Sequence, residues 1–311
     1  MTQYIPITLS DQTLFAPYLK NAGKPGAEYS FTTLYMWAGI FHSFYRVVSY
    51  KDHSLLLVRS RRNAAAPFHF LYPMVLEGTV PMEVVRHVLE EASEGNPMVV
   101  GALTREEAAL LSDSGMENLD IYEARESFDY VYYASFLATL RGKKMQPKRN
   151  HLNAFIKEHH NYKVVPITPQ EIPACLEMND AWCRIMGCRH DLELGQEACA
   201  VHRAFRGFRE LGLDGLMLIA DNQIVAYTLG EFYNNNTLLV HVEKAFPEYR
   251  GAYQLINREF VRYALEKYPD IEFVNREDDT GDPGLRQAKL SYNPAFLIEK
   301  YKARINHKPT P

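Results

Sequence analysis

The feature that most constrains the fold is the order of secondary-structure signals between residues 162 and 292. Alternating apolar and polar residues predict strands, and apolar residues at helical spacing predict helices. The predicted strands are 162–166, 216–220, 224–232, 237–246 and 272–275, and the predicted helices are 171–187, 198–212, one from about 252 and one from 283. This order predicts an α+β domain with a mixed, mainly antiparallel sheet flanked by helices.

The N-terminal half shows a looser version of the same order. Its predicted strands are 4–7, 44–50, 54–58, 68–75, 97–102 and 129–133, and its predicted helices begin near 11, 30, 81 and 104. A chain of 311 residues suits two domains. We place the junction in the basic segment 141–157 and expect domains 1–145 and 146–311, although no residue-level repeat links the halves.

Composition narrows the class of protein. Hydrophobic residues make up 47% and charged residues 23%, which is typical of a folded globular protein. The net charge of −4 argues against a wholly basic nucleic-acid binder. The sequence shows neither a signal peptide nor an apolar run long enough to span a bilayer, so we expect a cytoplasmic protein.

The cysteines cluster in one part of the chain. They are Cys175, Cys183, Cys188 and Cys199, with His190 and His202 nearby. No CxxC or HxxxH spacing supports a metal site. We expect reduced, structural cysteines, as in a reducing compartment.

A strand-to-helix junction contains a glycine. Backbone N–H groups at a helix N-terminus bind anions, and a glycine allows a phosphate to approach closely. In acetyltransferases this junction holds the pyrophosphate of coenzyme A through Q/R-x-x-G-x-G/A. Here Gly251 matches, Glu248 and Tyr253 depart from the pattern, and Arg250 offers positive charge. The candidate cofactor-binding residues are Arg250, Gly251 and Ala252, and the alternative is a plain turn.

A polar pair interrupts the apolar strand 237–246. Alternation places His241 and Glu243 on one face of that strand. A polar pair among apolar residues is costly unless it is partnered or functional. Glu243 is a candidate general base, and His241 is a candidate to orient it or relay a proton. The alternatives are an exposed sheet face or a buried structural pair.

Charged residues crowd the segment 275–289 that follows the last predicted strand. Asp278 is a candidate catalytic carboxylate, and the candidate substrate-binding residues are Asn275, Arg276, Asp279 and Lys289. Such a cluster at the end of a strand can bind a substrate ammonium or position a phosphate-bearing donor. A solvated acidic loop is the alternative. The acidic spacing lacks the EF-hand pattern, so we expect no metal.

The junction itself is basic. Its cations are Arg141, Lys143, Lys144, Lys148, Arg149 and Lys157. They can meet RNA phosphates or an anionic lipid surface. A solvated linker helix is the alternative.

Together these patterns resemble an uncharacterised bacterial family whose domain is similar to the C-terminal catalytic domain of phosphatidylglycerol lysyltransferases. The resembling runs are 29–37, 142–153, 241–244, 250–253, 275–279 and 289–292, spread over nearly the whole chain. The resemblance implies two GNAT-like acyltransferase domains in tandem and transfer from aminoacyl-tRNA, as in lysyltransferases and Fem-type peptidoglycan enzymes.

The resemblance also implies where a site lies. In a GNAT core, the strand carrying His241 and the strand preceding Arg276 are neighbours that splay apart. We expect His241, Glu243, Arg276, Asp278 and Asp279 to face one cleft. Three carboxylates packed together repel, so at least one should have a raised pKa unless Arg276 offsets it.

We therefore predict an acyl- or aminoacyltransferase that acts on an amine or hydroxyl, including that of a phosphatidylglycerol-like lipid. The donor is aminoacyl-tRNA or acyl-coenzyme A, with no permanently bound cofactor. Backbone N–H groups beside the strand would stabilise the oxyanion. The alternative is a non-catalytic module that binds a small molecule or a modified peptide in the interdomain cleft, because a fold does not establish an activity.

Overall fold

The computed structural model describes residues 3–306. Within them the chain forms two compact units. The first contains the residues up to Phe128 together with those from Ile298 onward, and the second is Asp129–Leu297. The expected boundary at 145/146 therefore falls inside the second unit. No helix in the described part of the chain is both long and apolar enough to cross a membrane.

The first unit is built on a sheet with the order β1-β2-β3-β4-β6-β15-β7, and β5 pairs with β3. Its strands are β1 Ile5–Pro6, β2 Phe44–Tyr50, β3 His53–Ser60, β4 Phe68–Leu71, β5 Met74–Val75, β6 Met98–Leu103, β7 Leu119–Glu123 and β15 Tyr301–Ile305. Its helices are α1 Gln12–Ala22, α2 Phe31–Ala38, α3 Met82–Ser93 and α4 Arg105–Ser112. The pairing of β4 with β6 is parallel.

The core of the first unit is apolar. Helix α3 places Val84, Val88 and Leu89 against Leu55 and Leu57 of β3. Val84, Val88 and Leu89 recur at helical spacing along α3, and Leu55 and Leu57 share one face of β3, so these two faces meet in the core. Leu56 and Val58 on the other face of β3 are buried as well.

The second unit is built on a sheet with the order β14-β8-β13-β12-β11-β10-β9. Its strands are β8 Asp129–Tyr133, β9 Lys163–Pro166, β10 Asp214–Ala220, β11 Gln223–Tyr233, β12 Thr237–Ala245, β13 Phe273–Asn275 and β14 Phe296–Ile298. Its helices are α5 Ala134–Thr139, α6 Gln146–Glu158, α7 Ile172–Met186, α8 Leu192–Arg206, α9 Ala252–Lys267 and α10 Pro283–Leu290. The pairing of β12 with β13 is parallel. The predicted α+β class, with mixed and mainly antiparallel sheets flanked by helices, is confirmed.

Two strands join sheets that the sequence order does not indicate. β8 was expected to close the N-terminal half, but it pairs with β13 through Val131 and Asn275. β15, which was not predicted, pairs with β6 and β7 of the first sheet. The alternation within a strand specifies its buried face and contains no information about a distant partner.

The expectation of reduced cysteines is wrong for one pair. Cys183 and Cys188 form a disulfide, with their Cα atoms 5.2 Å apart. Gly187 ends helix α7 with a φ of 78°, which turns the chain back so that Cys188 reaches Cys183. Cys175 is buried and Cys199 is exposed, and both are free thiols.

Candidate functional site

The parallel pairing of β12 and β13 ends before β12 does. Leu239 pairs with Asn275 at the end of the register, whereas β12 continues to Ala245. We call the space between residues 240–245 of β12 and the segment 276–279 the β12–β13 gap. A register shift between Leu229 and Gly230 of β11 lies opposite the same part of β12. Such bulges re-aim side chains and are common beside functional sites.

Asn275 sets the geometry at the end of β13. Its amide nitrogen donates to Asp129 over 3.0 Å, and its amide oxygen accepts from the backbone N–H of Glu277 at 2.8 Å. Glu277 has a φ of 57°, which turns the chain sharply at this point. The turn directs the side chains of Arg276 and Glu277 to residues of β12.

His241 lies on β12 between two carboxylates. Its Nδ1 contacts Glu277 at 2.9 Å, its Nε2 contacts Glu231 at 3.0 Å, and only 1% of its side chain is exposed. Burial lowers the pKa of the imidazole, but the hydrogen bonds and charges of both glutamates outweigh burial and raise the pKa to about 9. His241 is therefore an imidazolium at neutral pH and donates to both carboxylates.

Glu243 is held by two partners. Arg276 donates to one carboxylate oxygen over 2.8 Å, and the amide of Asn257 donates to the other over 2.8 Å. Burial disfavours the charge on Arg276, but Glu243 and two tyrosine rings outweigh it and raise the guanidinium pKa. Among the described residues, Nη1 of Arg276 and Oδ1 of Asn257 are buried without a hydrogen-bond partner. A donor and an acceptor without partners beside one carboxylate are unusual inside a protein.

Tyr292 extends this cluster towards helix α6. The Arg276 guanidinium lies 5.0 Å from the centre of the Tyr292 ring, and the Lys148 ammonium lies 4.3 Å from it. Burial lowers the pKa of Lys148, and the charge of Arg276 lowers it further. Burial also raises the pKa of Tyr292 to about 12, so its hydroxyl stays neutral. Two cations therefore share one buried ring.

Lys289 and Asp279 hold the loop after β13 in place. The Lys289 ammonium donates to the carbonyl oxygens of Arg276, Glu277 and Asp278, at 2.6 Å for Arg276. Asp279 is fully buried and accepts from Nε of Arg286 at 2.8 Å and from Nη2 of Arg286 at 2.9 Å. Burial raises the pKa of Asp279, but hydrogen bonds from Arg286 and Tyr130 outweigh burial and hold it below its usual range.

The residues predicted for one cleft thus separate into two sets. His241, Glu243 and Arg276 line the β12–β13 gap. Asp279 packs on Tyr130 and Arg286. Asp278 accepts from the backbone N–H of Thr280 at 3.2 Å, within the turn of its own loop.

The glycine junction faces a helix of the same unit. Gly251 has a φ of 98°, and a Cβ atom there would overlap the carbonyl oxygen of His151 on α6. Arg250 donates to the imidazole of His151 at 3.1 Å. The absence of a side chain at Gly251 therefore allows α6 to pack against the start of α9, where Ala252 is also buried.

The basic junction contains cations in different settings. Arg149 donates to the backbone carbonyls of Leu140 and Gly142, which caps the preceding turn. Lys144 donates to Asn293 over 3.1 Å. Lys143 and Lys157 are exposed. Of this set, Lys148 is the cation that reaches Tyr292.

Three residues of the gap were not predicted: Glu231, Glu277 and Asn257. Glu231 could have been found by the signal that identified His241, an ionisable residue inside an apolar strand. Asn257 likewise interrupts the buried stripe of α9. Glu277 could not have been singled out among its charged neighbours, because its role depends on the turn at that residue.

Comparison with known proteins decides the family. The model of the family described as phosphatidylglycerol lysyltransferase, C-terminal, matches residues 20–304. The chain belongs to this family. This match to the phosphatidylglycerol lysyltransferase C-terminal family confirms the resemblance inferred from the sequence.

Solved structures agree with the family. A conserved protein of unknown function from Bacteroides thetaiotaomicron is 34% identical, with a TM-score of 0.86 over 98% of this chain and 100% of that one. L-PGS from Bacillus licheniformis is 14% identical, with a TM-score of 0.66 over 99% and 94%. A tandem GNAT protein from the clavulanic acid biosynthesis pathway is 13% identical, with a TM-score of 0.54 over 99% of both chains. The tandem GNAT-like fold is thereby confirmed.

One curated relative is more distant and is described as an uncharacterised protein. It is a protein of Mycoplasmoides gallisepticum, 26% identical over 183 residues. The match covers 58% of this family member and 56% of the relative, so the chain spans little more than half of that protein.

Proposed function

We propose that the chain transfers an aminoacyl group from aminoacyl-tRNA to a hydroxyl or amine, and that the β12–β13 gap is the reaction centre. The proposal depends most on the environment of Arg276. This buried guanidinium has one nitrogen without a partner among the described residues, is oriented by Glu243, and shares the Tyr292 ring with Lys148. A preorganised pair of cations, one of them largely buried, suits the oxyanion that forms during acyl transfer.

Three features favour aminoacyl-tRNA over acyl-coenzyme A. The Gly251 junction, where a coenzyme A pyrophosphate was expected, is packed against His151 of α6. The gap itself is bridged by Arg276 with Glu243 and by Glu277 with His241. Exposed Lys143 and Lys157 on the same segment as Lys148 supply charge for tRNA phosphates.

The reaction assigns each residue a task. The acceptor oxygen or nitrogen attacks the ester carbonyl carbon of the aminoacyl group, and Arg276 and Lys148 stabilise the oxyanion. Glu277 accepts the acceptor's proton, because 25% of its side chain is exposed, against 16% for Glu231 and 10% for Glu243. The bond to the ribose oxygen then breaks, and that oxygen takes up the proton. Glu243, the base expected from the sequence, orients Arg276 instead.

The remaining predicted residues support this centre. Asn275 fixes the turn at Glu277, and Lys289 donates hydrogen bonds to three carbonyl oxygens of the loop. His241, as an imidazolium, holds Glu277 in position. Asp278 lies in the same loop, and we keep it as a candidate contact for the amino group of the donor.

The experiment is a transfer assay with two donors. The protein is incubated with tRNA charged with labelled amino acids, and separately with labelled acetyl-coenzyme A. Each donor is tested with phosphatidylglycerol vesicles, with a mixture of amines, and without acceptor. We expect label from aminoacyl-tRNA to enter one acceptor class, and Arg276→Gln to remove that transfer. Transfer from acetyl-coenzyme A alone would contradict the donor assignment. Binding of charged tRNA without transfer to either acceptor class would favour the non-catalytic alternative.

A further inference from the structure

The first unit contains a cavity of about 400 Å³ that the proposed reaction does not use. It is lined by Gln3, Tyr4, Phe44, Arg46, Arg59, Arg61, Phe68 and Glu94. Arg46 of β2 contacts Glu91 in the last turn of α3, and Glu94 ends that helix. The cavity therefore lies on the sheet face that α3 covers, just past the end of the helix. We call it the arginine cavity.

The arginines of this cavity have hydrogen-bond partners among the described residues for only some of their guanidinium nitrogens. Arg46 is 4% exposed and donates to Glu91 through Nη2 over 3.3 Å. Within the described part of the chain, Nε of Arg46 and Nε of Arg59 are buried without a hydrogen-bond partner. Buried charged donors without acceptors are costly, so native proteins seldom keep them unless a ligand or water fills the role.

Aromatic rings hold these guanidinium groups in place. Arg59 lies 3.5 Å from the centre of the Tyr4 ring and 4.1 Å from that of Phe68. Arg61 lies 4.7 Å from the centre of the Phe68 ring. Stacking fixes the plane of each guanidinium and leaves its edge available to donate.

The remaining polar groups also suit an anion. The Tyr4 hydroxyl is buried and, among the described residues, has no partner. Burial raises its pKa, so it stays a neutral donor at pH 7. Glu94 is the one carboxylate among the described lining residues, against three guanidinium groups. The lining therefore has an excess of positive charge.

We propose that the arginine cavity binds a phosphate group, carried by a small soluble ester or by a lipid headgroup. Guanidinium groups form paired hydrogen bonds with phosphate oxygens, and several of them together match its charge. The volume is within the range of small-molecule sites, and the Tyr4, Phe44 and Phe68 rings can cover the organic part of the ligand. This assignment does not depend on the reaction proposed for the second unit.

Calorimetric titration at fixed ionic strength tests the proposal with named probes. The soluble probes are glycerol 3-phosphate, inorganic phosphate and acetate, and the lipid probes are vesicles with and without phosphatidylglycerol. We expect at least one phosphate probe to bind with a Kd below about 1 mM. Binding of the free ion or soluble ester identifies a soluble ligand, and binding confined to anionic vesicles identifies a headgroup. Acetate binding as tight as phosphate binding would overturn the phosphate assignment.

Variants locate the binding. Arg59→Gln and Arg61→Gln should each weaken it tenfold or more, whereas Arg62→Gln, an exposed neighbour, should change it less than twofold. Arg46 is not replaced in this test, because Arg46→Gln would also remove the ion pair with Glu91 and could lower stability. Arg276→Gln in the second unit should bind the probes like the wild type, which separates this proposal from the reaction. No binding of any phosphate probe by folded protein, or equal binding by the Arg59 and Arg61 variants, would overturn it.

Discussion

Each unit contains one of the parallel strand pairs, β4 with β6 in the first and β12 with β13 in the second, but the residues around the two pairs differ. In the first unit, α4 begins directly after β6, with Thr104 as its cap, and the core beside the pair is apolar. In the second unit, the charged segment 276–282 follows β13 before α10 begins, and β12 carries His241 and Glu243. Both units contain a parallel strand pair, so the pair alone does not account for the charged cluster, which comes from the residues on β12 and after β13.

The largest expected difference between the units is in activity. Arg276→Gln should lower the transfer rate per folded molecule about a hundredfold or more, because it removes an oxyanion donor. It should also cost roughly 3–5 kcal/mol of stability, since Glu243 is left buried without its cation. Leu103→Ala in the first unit should cost about 2–5 kcal/mol and leave that rate unchanged. Single-turnover assays normalised to folded protein measure the rates, and urea unfolding measures the stabilities. Equal rate losses in the two variants would remove the distinction.

The pH dependence of stability should depend on His241. Its folded-state pKa of about 9 lies above the usual 6.5, so the stabilisation is fully present below about pH 6.5. It is lost as the pH rises through about 9, and amounts to on the order of 3 kcal/mol. Urea unfolding of the wild type and of His241→Gln from pH 6 to pH 10 measures it. A difference between the two proteins that stays constant across this range would contradict the charged state of His241.

Two glycines, one in each unit, differ in what surrounds them. Gly251 and Gly78 both have positive φ, but a side chain at Gly251 would collide with His151, whereas nothing lies within 4 Å at Gly78. Gly251→Ala should therefore cost about 2–4 kcal/mol, and Gly78→Ala about 1–2 kcal/mol from backbone strain alone. Thermal unfolding of both variants compares them. Equal costs would mean that α6 is not packed on Gly251.

The smallest expected effect concerns the basic junction. Charge reversal at Lys143 and Lys157 should weaken tRNA binding several-fold and reduce the slope of log K against log salt by about 0.7–0.9 for each phosphate that is no longer neutralised. Lys20→Glu in the first unit is the matched control, because Lys20 is also an exposed lysine. Filter binding at several salt concentrations measures the slopes. A slope that does not change would leave the junction a solvated helix.

Local patterns predicted most elements of the fold. The β2–β3 hairpin, α3, α7 and the three strands β10, β11 and β12 lie close to the expected bounds, because periodicity and turn residues determine them locally. The sheets that β8 and β15 join could not be predicted, since pairing depends on residues far away in the sequence. β4 and β5 were predicted as one strand from the mainly apolar run 68–75, but Pro73 lies at the break between them and cannot donate a ladder hydrogen bond.

The candidate site was predictable in part. An ionisable pair inside an apolar strand pointed to His241 and Glu243, and the residues after β13 pointed to Arg276. The partners of these residues depend on tertiary structure. The contact of His241 with Glu277 follows from the turn at Glu277, and its contact with Glu231 follows from the pairing of β11 with β12. The contact of Lys148 with Tyr292 joins segments that are far apart in the sequence. The Cys183–Cys188 disulfide depends in the same way on the turn at Gly187.

The substitution Lys148→Met tests most directly whether the β12–β13 gap is a reaction centre. Lys148 makes no ion pair within residues 3–306, and its charge lies close to that of Arg276. Methionine preserves the contact with Tyr292 and removes the like charge. If the gap is a reaction centre, transfer from aminoacyl-tRNA should fall at least tenfold while the melting temperature holds or rises, because functional groups are often retained at the expense of stability. Unchanged transfer, or a lower melting temperature with an unchanged rate per folded molecule, would show that Lys148 belongs to the scaffold.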